Sequence, residues 1–135
     1  LGGLVILKML NDYDDLANGR VVFLGSPLRG SRVARKAQKV PGSAALLGKV
    51  ETALQEGYPG IAGDRESGMI ACSGSFGLGW LVGCTEGPGD VTVAVAETIA
   101  DGLDAHCVLP VNHTGMLYSD QVAKKAAQFL ETGSF

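Results

Sequence analysis

VLPVNHTGMLYS, residues 108–119, is an apolar run that stops at Asn112 and His113 and gives way to a helical pattern from Ser119. A strand buried on both faces reads as a short continuous apolar segment, and the polar residues after it fall in the loop at its carboxyl end. His113 is therefore expected where a strand emerges into a loop. In open parallel sheets functional residues gather in such loops, so His113 is a candidate general base.

Working outward, residues 105–111 (AHCVLPV) form the strand behind that loop, and residues 119–131 the closing helix. In this helix Val122, Ala126, Phe129 and Leu130 make an apolar stripe, while Asp120, Lys124, Lys125 and Gln128 face water. Upstream, residues 20–24 (RVVFL) read as a buried parallel strand. Residues 69–73 (MIACS) read as a weaker one, because glycines and serines crowd it. Residues 1–11 (LGGLVILKMLN) predict a helix whose paired glycines allow its first turn to lie hard against a sheet. Helices are also expected over 32–40, capped by Ser31, and over 43–56, where Leu46, Leu47, Val50 and Leu54 share a face. The second of these either packs on the core or caps a pocket. Residues 91–95 (VTVAV) alternate like a strand, but are read as the far side of an acidic loop that runs into a short turn at Glu97 and Thr98. Helices alternating with strands predict an α/β fold: three layers around a mostly parallel sheet.

At 135 residues and 46% hydrophobic content, the chain can build one domain with a real core. A net charge of −3 argues against a nucleic-acid partner, whose phosphates call for a basic face. Cys72, Cys84 and Cys107 are odd in number and widely spaced, so neither a disulfide framework nor a metal site is expected, and free thiols favour a cytoplasmic setting. No apolar run approaches the ~18 residues needed to span a bilayer. Leu1 is not a natural initiator, which leaves a signal peptide open. Arg29, Arg32, Arg35, Lys36 and Lys39 form either a solvated helix face or a contact for an anionic headgroup or substrate.

Three loops follow apolar segments: residues 25–30, 87–90 and 112–116. Asp90 precedes His113 in chain order and could accept a hydrogen bond from one ring nitrogen, fixing the tautomer. Glu86 is its rival. His106 is expected to be structural, and Asp101 and Asp104 to sit at the opposite end of the last strand. The glycine-rich loop 74–83 carries Phe76 and Trp80, and either lines a pocket or collapses onto the core.

The loops and their order resemble the α/β-hydrolase superfamily, in particular bacterial lipase-like and esterase-like members. LGGLV at residues 1–5 looks like the tail of the nucleophile motif G-x-S-x-G without its Gly-x-Ser. VVFLGSPLRGS at 21–31 is similar to the family's strand and L-G-T-P-x-x-G-S loop, with Ser26 where threonine is common. GPGDVTVAVAET at 87–98 looks like the acid loop, although Val91 stands where a glycine is frequent, and NHTGM at 112–116 looks like the histidine loop.

The resemblance implies the C-terminal part of an α/β-hydrolase fold, a partial domain over 1–135, in which residues 41–66 are either a small cap or a segment packed on the core. It makes Asp90 the acid, His113 the base and the Leu1 backbone N–H an oxyanion-hole donor. Ser26, Pro27, Leu28, Trp80 and Met116 become pocket-lining candidates. The implied activity is that of a serine carboxylic ester hydrolase needing no cofactor, acting on a small or lipid-like ester with peripheral membrane contact. Without its nucleophile the 135-residue chain is expected to be inactive alone. The alternative is a non-catalytic relative, or a fragment acting as an interaction module, that self-associates through an exposed sheet edge.

Overall fold

A computed structural model describes residues 2–13, 15–32, 35, 56–58, 60–61, 64–74, 89–90 and 93–135. The chain passes through helix α1 (Gly2–Asp12), strands β1 (Val21–Leu24), β2 (Ser67–Cys72), β3 (Gly89–Asp90), β4 (Val93–Ala94) and β5 (Ala105–Leu109), and helix α2 (Asp120–Thr132). Single 3-10 turns occupy Val95–Glu97 and Gly115–Tyr118. The main sheet has the order β1-β2-β5 with both pairings parallel, Phe23 lying beside Met69 and Met69 beside His106.

Every residue of β2 is buried. Its glycine and serine, read above as weakening the strand, are what let it occupy the centre. A Cβ on Gly68 would lie 2.8 Å from the Phe129 ring, so the glycine is the seat for that side chain. Ser67 is satisfied while buried: its N–H donates to Asp104 Oδ2 at 2.7 Å, and its hydroxyl donates to the Arg65 carbonyl at 3.0 Å. The strand consequently begins at Ser67 rather than Met69.

Alternate residues of a strand point to opposite faces, and β2 separates two clusters accordingly. Met69 packs with Leu4, Leu7, Phe23, Leu28 and Ala100 beneath α1. Ile70 and Cys72 pack with Leu109, Met116 and Val122 beneath α2. Each large apolar side chain so buried contributes about 1.5–3 kcal/mol. Helices thus cover both faces of a parallel sheet, the α/β arrangement that the alternation of elements predicts.

Three expectations need correction. Leu130 leaves the apolar stripe of α2 and is 48% exposed. β1 is half-buried rather than fully buried, being an edge strand among the described residues with Leu24 40% exposed. β5 stops at Leu109, since Pro110 has no N–H to extend the ladder, and its His106 and Val108 are exposed. Val93–Ala94 joins no strand of the main sheet; it pairs antiparallel with Gly89–Asp90 and runs into the turn at Val95–Glu97, which is the far side of an acidic hairpin.

The helices expected over 32–40 and 43–56 fall largely outside the described residues, as do most of the cap segment, Cys84 and the loop from residue 75. The end of the cap segment is pinned to the core, where Tyr58 N–H donates to the Leu28 carbonyl at 2.8 Å. Among the described residues no helix is long and apolar enough to cross a membrane.

Candidate active site

The carboxyl ends of the three parallel strands open on one side of the sheet, and hydrogen bonds carry the ladder past each strand end. Gly25 N–H donates to the Ile70 carbonyl at 2.8 Å, Ser73 N–H to the Leu109 carbonyl at 2.9 Å, and Gly74 N–H to the Val111 carbonyl at 3.0 Å. The segment after β5 then crosses the end of β2. A Cβ on Gly74 would sit 2.6 Å from the Val111 carbonyl carbon, so the crossing needs a glycine beneath it.

His113 completes the crossing. It is half-buried with its Nδ1 enclosed, and it lies against Gly25, where a Cβ would approach Nδ1 to 2.9 Å. Gly25 adopts a φ of +52°, a left-handed conformation that side chains disfavour. The loops after β1 and β5 therefore meet although their strands are not neighbours. Asn112 stiffens the histidine loop: its Oδ1 accepts from Gly115 N–H at 2.6 Å, and its carbonyl from Met116 N–H at 3.1 Å. Met116 is buried and follows this turn to the same glycine, with its sulfur 3.2 Å from the Cβ position.

The Asp90 backbone lies in the β3–β4 hairpin, paired with Val93, and this hairpin runs beside β2. Leu1, Trp80 and Glu86 lie outside the described residues. Ser26 and Pro27 are buried directly after Gly25, Ser26 beneath the first turn of α1. Leu28 is fully buried in the core under α1.

Asp104 does sit at the far end of the sheet, tied to Ser67. His106 lies within β5, its Nε2 2.9 Å from Thr98 Oγ1. The threonine hydroxyl already donates to the Val95 carbonyl at 2.6 Å, and its one proton is thereby used. The ring nitrogen is then the donor, and His106 carries a proton on Nε2. Although His106 is exposed as a whole residue, partial burial of its ring beside Thr98 pushes its pKa below the ordinary 6.5.

A carboxylate that the sequence reading treated only as a turn residue is central. Glu97 is 6% exposed. Its Oε1 accepts from Arg32 N–H at 2.8 Å, and its Oε2 from Ala94 N–H at 3.2 Å. The Arg32 guanidinium pairs with it at 3.4 Å. The available signal was a lone acid within VAVAETIA, since a charge in an apolar stretch is buried only with partners.

An open cleft of about 930 Å³ lies at the opposite end of the sheet, between Leu10, Tyr13, Leu16, Arg20, Arg65 and Leu130. Its guanidiniums are engaged: Arg65 donates to the carbonyls of Ala17 and Gly19, and Arg20 to those of Leu130 and Glu131. Among the described residues no group of histidine, cysteine and carboxylate side chains could hold a metal ion. No protein-family model matches this chain, and no curated protein or solved structure is significantly similar to it.

Proposed function

We propose that this chain is the C-terminal part of an α/β-hydrolase-type serine hydrolase, acting on carboxylic esters with an apolar or lipid-like acyl group. His113 is the general base and Asp90 the acid that orients it. The nucleophilic serine belongs to the complete protein, immediately before Leu1, with the Leu1 N–H as one oxyanion donor. One observation carries this reading: the His113 ring is held against Gly25 at the carboxyl edge of a parallel sheet, by a loop that crosses the intervening strand.

The chemistry follows from that position. A neutral imidazole takes the serine proton as the hydroxyl attacks the ester carbonyl, then returns it to the leaving alcohol. A second cycle, with water in place of serine, releases the acid from the acyl-enzyme. Asp90 fixes the imidazole tautomer and stabilises the imidazolium formed in each half-reaction.

The complete protein should hydrolyse p-nitrophenyl esters, with kcat/KM reduced about 10⁴-fold by His113→Ala and comparably by Asp90→Asn. Glu86→Gln should leave it near the unsubstituted value, and the 135-residue chain alone should show no hydrolysis that depends on His113. Hydrolysis by the complete protein that survives His113→Ala overturns the reading.

Among the described residues, the exposed edge at Leu24 and the exposed Val5 and Met9 on α1 favour a second reading, a non-catalytic relative or fragment whose sheet is completed by another polypeptide. The same assay separates the two. The residues before Leu1 do so as well, since only the hydrolase requires Gly-x-Ser there.

A further inference from the structure

We infer that Glu97 is a positioning residue, a buried carboxylate clamp that fixes the hairpin bearing Asp90 to the loop that supports His113; the inference rests on the hydrolase reading above. Its two oxygens face two different elements. Oε2 accepts from Ala94 N–H on β4, the strand paired with Gly89–Asp90. Oε1 accepts from Arg32 N–H, at the far end of the loop that begins at Gly25. The Glu97 carbonyl accepts a further bond, from Arg29 N–H at 3.0 Å, so this one residue holds that loop at two points.

The same loop sets the wall behind the imidazole, because Gly25 packs directly on His113. An acid and a base carried on separate loops must keep their separation to a fraction of an ångström for proton transfer to stay efficient. Glu97 joins the two loops, and the Arg32 guanidinium adds an ion pair to the same junction at 3.4 Å. Burial strengthens the tie, since charge-assisted hydrogen bonds donated by backbone N–H groups to a carboxylate are stronger away from water. Both oxygens must be acceptors. Glutamine, with one acceptor oxygen, serves only one donor and turns an NH2 group toward the other.

The test is Glu97→Gln in the complete protein, followed by ester-hydrolysis kinetics and by amide hydrogen exchange. The expected result is a fall in kcat of about 10- to 100-fold with KM little changed, as a misplaced acid damages the transition state and not substrate binding. Exchange at Val93 and Ala94 should quicken about tenfold, as for the loss of one charge-assisted hydrogen bond.

Unchanged exchange overturns the clamp. Faster exchange with unchanged kcat overturns the positioning role. Should the glutamine variant fail to fold, Ala94→Pro removes only the donor to Oε2, at a residue whose φ of −69° already suits proline. It should lower kcat in the same direction, and an unchanged kcat overturns the inference. If the unsubstituted complete protein hydrolyses no ester, the hydrolase reading falls and takes the catalytic half of this inference with it. The exchange measurement still decides the clamp itself.

Discussion

A methyl group added at Gly3 would lie 2.6 Å from Ser26 Cβ and 3.1 Å from the Phe23 ring, whereas one added at Gly2 meets nothing within 4 Å. The paired glycines of the sequence therefore divide into a packing residue and a free one. Gly3→Ala should destabilise the fold by about 1–3 kcal/mol, because neither the strand-bound phenyl ring nor the buried serine can retreat. Gly2→Ala should be neutral or slightly stabilising, since alanine is the better helix former. Denaturant midpoints of the two variants decide it. The close approach of α1 to the sheet was legible from LGGLV, but which glycine made it was not, as that depends on the helix rotation set by Leu4 and Leu7. Glu97 was illegible as a clamp for a similar reason: its bond from Ala94 N–H, three residues back, is local, but its other donor, Arg32 N–H, lies 65 residues away, and no local pattern encodes that tie.

Helix α2 shows how far local pattern reaches at the scale of an element. Ser119 accepts from Val122 N–H and caps its start rather than opening the helix, and Gly133 closes its end at a φ of +79°. Val122 and Phe129 are buried as the spacing predicts, and Phe129 also stacks on Phe135 at a centroid distance of 4.9 Å. Leu130 departs from the pattern because the last turn is held from outside. Arg20, just before β1, donates to the Leu130 and Glu131 carbonyls at 3.0 and 2.9 Å and also pairs with Glu66. A guanidinium there satisfies carbonyls that helical geometry leaves open and opposes the negative end of the helix dipole. Arg20→Ala should cost about 1–2 kcal/mol and fray the final turn, measurable as lost amide protection at Thr132 and Gly133 with little change near Ser119. That tie joins residues remote in sequence, which no helical period records.

For the whole molecule, the parallel sheet with helices on both faces followed from the order of apolar segments, and so did the placing of loops 25–30 and 112–116 beyond strand ends; that His113 reaches Gly25 across the intervening β2 was not legible, because strand order is not written in the sequence. The centrality of β2 was not legible, because SGMIAC acquires its strength from Phe129 and Asp104, which lie elsewhere in the chain. A property of the whole fold is its response to acid. The His106 pKa is lowered by partial burial of its ring, so as pH falls below 6.5 the unfolded chain binds the proton before the folded one does. Stability from this group is therefore present above 6.5, is lost as pH falls from there to the lowered folded value, and is level below it. Thermal midpoints recorded from about pH 7.5 to about pH 5 should fall less steeply in His106→Gln than in the unsubstituted protein, since the variant removes this one titration.

The complete burial of β2 has a consequence for the chain as it leaves the ribosome. Its α1-facing side finds Leu4, Leu7 and Phe23 already synthesised. The other side, with Ile70 and Cys72, waits for Leu109, Met116 and Val122. Throughout that interval a largely apolar strand presents one bare face, and non-local parallel pairing is slow to close. Nascent β2 is thus a segment in need of a chaperone, and the arrival of α2 is the event that ends the need.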